Sequence, residues 1–273
     1  MLDPRSLRIV LAGALAASVA GCAAAAQEDD LDDAEHWNRA YEQPLSECSG
    51  ITPPDDGPFL KRVALTFDDG PNLQTTPKVL EILAKHGIKA TFFINGKNAQ
   101  SAAAKALLKK MVAAGHIVGN HTQNHADAVD QTAAEFKQGV IKTGNVLKGI
   151  PVTPKYFRFP FGSADCQKKE IVENLGYHVV GWHVDSADWC FASGGGFCSE
   201  DTFKWVPDSF RDDMVGYTMS QIKKHKGGIV LFHDVKPYTV SKLEPIIEKL
   251  ESAGYRFVRV KNKDLFPEMN APL

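Results

Sequence analysis

From residue 61 onward, short apolar runs alternate with stretches in which apolar residues recur at helical spacing. The runs predict seven strands, at 61–67, 90–95, 117–120, 156–159, 177–183, 229–232 and 256–260. The stretches between them predict helices at 102–114, 132–147, 166–175, 211–225 and 241–252, and one that begins near Thr76-Pro77 and stops at Gly87. Strands that are apolar on both faces and separated by helices indicate parallel strands covered by helices. The pattern therefore predicts an α/β fold, either an open doubly wound sheet or a closed barrel.

The N-terminus has a different pattern. Arg5 and Arg8 precede a run of twelve apolar or small residues, 9–20. This run is too short to cross a bilayer stably and is typical of the apolar region of a secretory signal peptide. It ends in VAGC, which resembles the lipobox of bacterial lipoproteins and makes Cys22 the expected lipidation site. Soluble secretion, with cleavage after the alanines at 24–26, is the alternative.

Composition narrows the class of protein. The chain has 273 residues, a formal net charge of −2 and 44% hydrophobic residues, which is ordinary for a globular protein. A near-neutral charge gives no support for a nucleic-acid partner. Residues 23–36 are rich in alanine and acidic residues, and we predict a flexible acidic tether there.

Export also changes the interpretation of the five cysteines, because an oxidising compartment favours disulfides over zinc–thiolate sites. With Cys22 assigned to lipidation, four remain, and none forms a C-x-x-C pair. Cys190 and Cys198 flank a Ser-Gly-Gly-Gly stretch, so we expect a loop-closing bridge between them. Cys48 and Cys166 would then join the N-terminal segment to the body.

Polar and ionisable residues collect where the predicted strands end. In parallel α/β architectures, the carboxyl ends of the strands share one face, and that face carries the active site. The first strand is followed by Asp-Asp-Gly-Pro rather than by a Gly-rich phosphate loop, which disfavours a nucleotide-binding fold. The residues at the strand ends are Asp68, Asp69, His121, His125, Arg158, Asp185, Asp188 and His233.

His121 and His125 have the spacing H-x-x-x-H, which by itself is a weak metal signal. At helical spacing, side chains at i and i+4 lie on one face and can bind one metal ion. A carboxylate from another strand end would complete a set of two histidines and one aspartate. This set suits an open zinc site, although iron(II) centres use the same ligand types. Arg158 ends a buried strand, so we expect an internal carboxylate partner for it.

Five segments, in chain order TFDDGP, HTQNH, RFPFG, DSADW and LFH, resemble the five motifs of polysaccharide deacetylases. This family is also called the NodB-homology domain or carbohydrate esterase family 4. The resemblance covers about residues 61–260. It implies a fold, a distorted (β/α)7-type barrel. It also implies an activity, the hydrolytic removal of acetyl groups from N-acetylglucosamine units. It also implies one divalent metal ion, for which zinc is expected and cobalt or another first-row metal is the alternative.

The resemblance assigns a role to individual positions of this chain. The implied metal ligands are Asp69, His121 and His125. The implied catalytic groups are Asp68 as base, Arg158 as its partner, His233 as acid and Asp188 as the carboxylate that tunes this acid. The implied substrate-binding residues are Phe161, Trp189 and Leu231. Phe161 stands where the family often has Tyr, but the implied oxyanion donor is its backbone N–H.

The organisation that follows is a signal peptide at 1–21, a tether and N-terminal extension at 22–60, a deacetylase domain at 61–264 and a tail at 265–273. An insertion at 190–210 is either an extra packing element or a wall of the sugar-binding groove. Peptidoglycan is the favoured substrate of such an exported lipoprotein. Chitin oligosaccharides, an exopolysaccharide, or a non-catalytic glycan-binding role are the alternatives. We expect a monomer that contacts a bacterial membrane only through its lipid anchor, on the periplasmic side or the cell surface.

Overall fold

The structure is a computed structural model, and it describes residues 28–42, 48, 50 and 59–272. The predicted signal peptide and Cys22 lie outside these residues. Within them, no helix is both long enough and apolar enough to cross a membrane.

The sheet of the described part contains eight parallel strands. They are β1 Arg62–Asp68, β2 Thr91–Ile94, β3 Ile117–Asn120, β4 Tyr156–Phe157, β5 His178–Val179, β6 Val184–Asp185, β7 Gly227–His233 and β8 Arg256–Phe257. Seven of them follow the hydrogen-bonded order β5-β4-β3-β2-β1-β7-β6, and β8 pairs with β1. The helices are α1 Glu28–Glu42, α2 Thr76–Lys85, α3 Ala102–Ala113, α4 Ala133–Leu147, α5 Cys166–Asn174, α6 Asp188–Ser193, α7 Met214–His225 and α8 Pro237–Ser252.

Local chemistry fixes several helix ends. The side chain of Ser101 accepts a hydrogen bond from the third residue of α3. Thr132 and Glu135 form a reciprocal capping box at the start of α4. Gly87 and Gly115 follow α2 and α3 with φ angles of 67° and 88°, a backbone region that favours glycine. The turn signals in the sequence therefore placed these helices well.

The sheet must curl, because its two outer strands are close together in the chain. In a flat sheet, seven strands would separate β5 from β6 by roughly 29 Å. Only five residue steps join Val179 to Val184, and such a segment spans at most about 18 Å. The predicted single strand 177–183 is wrong for this reason. The chain leaves the edge of β4 there and crosses to β7, and the sheet forms the expected distorted barrel.

The register of the central strands brings their carboxyl ends level. The last residue of β1, Asp68, pairs with His233, the last residue of β7. On its other side, Asp68 pairs with Phe93 of β2. The polar groups that follow these strands therefore meet at one end of the barrel, as the sequence predicts. β1 and β7 are buried almost throughout, so this end rests on a rigid support.

Two disulfides cross-link the chain with the predicted pairing. Cys48 is bonded to Cys166 at the start of α5, and this bridge joins the N-terminal segment to the barrel. Cys190 is bonded to Cys198, eight residues further along the chain, and closes the loop after α6. Both bridges limit the conformations that the unfolded chain can adopt.

The prediction of a flexible tether at 23–36 is wrong for residues 28–36, which belong to α1. Ala34, Trp37 and Ala40 are buried against the barrel. Their spacing of three residues places them on one face of the helix, and this signal was present in the sequence. Acidic residues at the start of the helix obscured it.

The insertion 190–210 is a packing element in the structure. Phe203 is fully buried, and its ring centroid lies 5.0 Å from that of Trp189. Arg211 donates hydrogen bonds to the carbonyls of Phe203 (2.7 Å) and Cys198 (3.3 Å). The amide of Asn38 in α1 donates to the carbonyl of Thr202 at 3.0 Å. The insertion therefore links α1 to the barrel, and a role in sugar binding stays a prediction.

Candidate active site

The five motifs converge at the carboxyl end of the sheet, where the backbone is unusually constrained. Five non-glycine residues there have positive φ angles between 53° and 74°, a region that L-residues avoid unless the surrounding structure holds them. They are Asp69, Thr122, His125, Phe161 and Ala187. Such residues cluster at functional sites, because they aim side chains or backbone groups that relaxed loops would not present.

Asp69, His121 and His125 form the first cluster. The Asp69 Oδ1 atom lies 3.3 Å from His125 Nε2 and 3.5 Å from His121 Nε2. Asp69 Oδ1 and His125 Nε2 are buried and have no hydrogen-bond partner among the described residues. His121 Nδ1 lies 2.8 Å from the carbonyl oxygen of Arg158, so it donates there and turns the Nε2 lone pair toward Asp69. Three converging ligand atoms, two of them unsatisfied, fit a divalent metal ion.

The two histidines are brought together by a loop and not by the i, i+4 spacing of a helix. β3 ends at Asn120, and residues 121–125 form a loop rather than a helix. The carbonyl of Thr122 accepts hydrogen bonds from the backbone N–H of Gly96 (2.9 Å) and from Thr143 Oγ1 of α4 (2.8 Å). The prediction of a helical face is therefore wrong, and a braced loop brings the two rings together.

Asp68 and Arg158 form a buried ion pair, as expected for an arginine at the end of a buried strand. Arg158 Nη1 lies 2.9 Å from Asp68 Oδ1, and neither side chain is more than 3% exposed. The guanidinium also donates to Thr66 Oγ1 and to the carbonyls of Val180 and Gly181, so its position is fixed. Burial raises the pKa of Asp68 to about 7, although Arg158 and His233 act to lower it.

His233 and Asp188 form the second buried pair. The His233 Nδ1 atom lies 2.7 Å from Asp188 Oδ1, and the His233 backbone N–H donates to Asp188 Oδ2 at 2.7 Å. Thr239 Oγ1 donates to the same carboxylate oxygen at 2.6 Å. Burial alone would lower the pKa of His233, but the charge and hydrogen bond of Asp188 raise it to about 10. This histidine is held as a cation at neutral pH.

All three predicted substrate-binding residues are buried. The Phe161 ring centroid lies 4.5 Å from that of His125. Trp189 is 4% exposed, and its buried Nε1 has no partner among the described residues. Leu231 lies in β7, two residues before His233, and is fully buried.

Two residues that contribute to this region were not predicted from the sequence. Thr239 of α8 holds Asp188 in place, and no local signal marks it. Trp37 of α1 packs against the site, with its ring centroid 6.0 Å from that of His233. Its helical spacing with Ala34 and Tyr41 was the available signal.

Residues 58–180 match the family model described as polysaccharide deacetylase. A peptidoglycan-N-acetylglucosamine deacetylase from Bacillus cereus is 32% identical over 208 residues, which cover 74% of this chain and 68% of that protein. A protein of the same description from Listeria monocytogenes, PgdA, is also 32% identical, but the match covers only 38% of its length and 73% of this chain. A chitin deacetylase from the fungus Colletotrichum lindemuthianum is 32% identical over 72% of this chain and 77% of its own.

Solved structures agree with these sequence matches. The peptidoglycan N-acetylglucosamine deacetylase Bc1960, in complex with a hydroxamate, aligns with a TM-score of 0.62 and 32% identity, covering 77% of this chain and 91% of that one. A pseudoenzyme of the CE4 family from Bacillus anthracis aligns with a TM-score of 0.60 and 26% identity, covering 78% of this chain and 67% of that one. From the relatives, the shared fold and the five converging motifs, we conclude that this chain belongs to the polysaccharide deacetylase family.

Proposed function

We propose that this protein hydrolyses the N-acetyl groups of N-acetylglucosamine units in a polysaccharide, with the help of one divalent metal ion. One observation carries the proposal. A carboxylate held by Arg158 and a histidine held by Asp188 lie at the ends of paired strands, beside the Asp69–His121–His125 cluster. A buried base, a buried acid and a metal-type cluster together suit the hydrolysis of an amide.

Asp69, His121 and His125 are the proposed metal ligands. When bound by these residues, a zinc ion would supply a Lewis acid for the acetyl carbonyl and would make a water molecule more acidic. Two nitrogen ligands and one carboxylate leave open positions for water and substrate, which is typical of catalytic zinc sites. Burial acts to raise the pKa of Asp69, but its electrostatic interactions with the surrounding histidines lower it, so this carboxylate stays anionic.

Asp68 is the proposed base. Its Oδ1 atom is occupied by Arg158, while Oδ2 lies 3.7 Å from His121 Nε2 and so faces the metal cluster. A water at that position would donate its proton to Oδ2. Arg158 holds Oδ1 and so keeps the carboxylate from rotating. A pKa near the working pH suits a group that must both accept and release a proton.

Phe161 is proposed to stabilise the oxyanion of the tetrahedral intermediate, and His233 is proposed to protonate the leaving amine. The backbone N–H of Phe161, held in a left-handed turn, would donate to the oxyanion. His233 would protonate the amine as it leaves, since an uncharged amine departs far more easily than an amide anion. Its raised pKa keeps this proton available at neutral pH.

A pH profile tests the role of Asp188. Asp188→Asn removes the charge that raises the pKa of His233, and burial then lowers that pKa. We expect the alkaline limb of the kcat/KM profile to move to lower pH, because the general acid loses its proton earlier as the pH rises. Thr239→Val is the matched control, because it removes one hydrogen bond to Asp188 and leaves the charge. An alkaline limb that does not move in Asp188→Asn would contradict the assignment.

Peptidoglycan is the proposed polymer. The Bacillus cereus and Listeria monocytogenes relatives are peptidoglycan deacetylases, and the predicted export would place this chain beside the cell wall. The fungal relative supports chitin as the second candidate. Acetate release from purified peptidoglycan and from chitin pentaose, at equal N-acetylglucosamine concentration, separates the two. We expect the higher kcat/KM on peptidoglycan, and a preference for chitin pentaose would reverse the assignment.

A lipid anchor at Cys22 is proposed to attach the protein to the membrane. A diacylated cysteine buries many CH₂ groups at about 0.8 kcal/mol each, enough for stable membrane attachment. We expect Cys22→Ala to release the protein from the membrane fraction or to leave it unprocessed. Mass spectrometry of the mature N-terminus gives the direct answer. An unmodified start at Gln27 would show simple secretion and remove the anchor from the account.

A further inference from the structure

Helix α1 lies over the candidate active site, and Trp37 points into it. Trp37 is only 3% exposed. Its ring is stacked on Trp189, with centroids 5.1 Å apart and an angle of 10° between the planes. It also forms T-shaped ring pairs with His233 and Phe161, with centroid distances of 6.0 Å and 5.8 Å. Trp37 therefore fills the space between the proposed acid, the proposed oxyanion donor and the proposed pocket wall.

The substrate needs the same space. For His233 to protonate the leaving nitrogen, the acetamido group must lie beside this ring, against Trp189 and within reach of the Phe161 N–H. With α1 in place, Asp68 and His233 are only 2% and 3% exposed. We propose that α1 is an internal plug that occupies the acetyl-sugar cleft and must leave before a polysaccharide can bind. This inference rests on the proposed function of the site.

Side-chain contacts on two sides hold α1 in the cleft. Tyr41 Oη donates to Asp185 Oδ2 at 2.9 Å and accepts from Trp182 Nε1 at 2.9 Å. On the other side, Arg39 forms ion pairs with Asp127 (2.5 Å) and Asp130 (2.6 Å). These contacts connect α1 to the β6 end, to the crossing segment before it and to the loop after His125.

The attachment of α1 is suited to reversible release. Arg39 is 34% exposed and Asp130 is 49% exposed, so water can replace this ion pair at modest cost. The other partner, Asp127, is 1% exposed, and after release it keeps His36 Nδ1 only if the helix has not moved away. An isolated helix of this length is only marginally stable, so α1 gains its order from the cleft. The Cys48–Cys166 disulfide retains the chain six residues after α1, so a released helix stays near the cleft and can return.

An internal plug has a defined kinetic signature. Only the fraction of molecules with α1 released can bind glycan, so the plug weakens apparent affinity and leaves the chemical step unchanged. If Trp37 were instead a fixed wall that the sugar contacts, its removal would weaken binding. The two arrangements therefore predict opposite changes in KM.

The test uses the full chain with single substitutions. Trp37→Ala removes the ring that fills the cleft, and Arg39→Ala removes ion pairs of α1 that lie outside the cleft. Glu35→Ala is the control, at an exposed position of the same helix. With chitin pentaose as substrate, we expect Trp37→Ala and Arg39→Ala to lower KM at least roughly fivefold while kcat stays within about twofold, and Glu35→Ala to leave both unchanged. Arg39→Lys should return KM toward the wild-type value. An unchanged or higher KM in Trp37→Ala and Arg39→Ala would overturn the plug.

Binding without turnover separates this proposal from the proposed function. Calorimetry on the metal-free proteins measures the affinity for chitin pentaose, and hydrogen–deuterium exchange measures the protection of residues 34–42. We expect Trp37→Ala and Arg39→Ala to bind the pentaose more tightly than wild type. In wild-type protein, we expect faster exchange of α1 when the pentaose is added. Equal affinity in all four proteins, or slower exchange on addition, would overturn the plug. Tighter binding without acetate release from any protein would support the plug and count against the deacetylase proposal.

Discussion

Replacing Asp68 by Asn is expected to lower acetate release by about 10²–10⁴-fold, the usual contribution of a general base. The amide keeps the size of the side chain and its contact with Arg158, but it cannot accept a proton from water. The proposed metal ligands are untouched, so zinc content should stay at the wild-type level. Acetate release and zinc content are measured on the same preparation.

Asp165→Asn is the matched control for this experiment. It makes the same carboxylate-to-amide change at the N-cap of α5, where the amide oxygen can still accept the hydrogen bond from Lys168. We expect near-normal turnover from it. Acetate release by Asp68→Asn within about tenfold of wild type would rule out Asp68 as the base.

Replacing His125 by Ala is expected to remove bound zinc and to lower acetate release at least about 10²-fold, because a metal supplies several kcal/mol of transition-state stabilisation. His125 Nε2 has no hydrogen-bond partner among the described residues, so the change removes a ligand and little else from the network. Zinc content after dialysis is the first readout. The second is thermal unfolding, because an ion that binds only the folded protein raises Tm.

His178→Ala, a change in β5, is the control. We expect added zinc to raise the Tm of wild type and of His178→Ala, and to leave that of His125→Ala unchanged. Full zinc occupancy in His125→Ala would remove His125 from the ligand set. The same comparison applies to Asp69→Ala and His121→Ala.

Strand positions were predictable because a strand buried on both faces reads as a continuous apolar run. β3 has the predicted bounds, and β1 and β7 differ from theirs by one or two residues. β5 and β6 were not predictable as separate strands. Their division depends on the crossing from β4 to β7, which is a property of barrel closure and leaves no local signal.

The residues of the candidate site were predictable as a group because parallel strands present their carboxyl ends on one face. The details depend on long-range contacts. Thr143 braces the histidine loop from α4, and Thr239 holds Asp188 from α8. Neither threonine has a local pattern that distinguishes it from other buried threonines. The roles assigned to the site residues remain predictions.

Helix α1 was not predicted because its acidic composition outweighed the helical spacing of its apolar residues. The acidic residues at its start are typical of a solvated segment, and they outweighed the spacing of Ala34, Trp37 and Ala40. The site for the helix is created by Trp189, Phe161 and Trp182, which come from three distant parts of the chain. A helix can be inferred from its own residues, but its docking site cannot.

The central claim is metal-assisted removal of acetyl groups, and acetate release tests it most directly. Purified full-length protein and Trp37→Ala are freed of metal with a chelator, divided, and assayed on peptidoglycan and chitin pentaose with and without added zinc. We expect acetate and free amino groups on the glycan in equal amounts from the zinc-loaded proteins, almost no acetate after chelation, and more acetate from Trp37→Ala at low substrate concentration. No acetate from either zinc-loaded protein on either glycan, or equal release with and without metal, would contradict it.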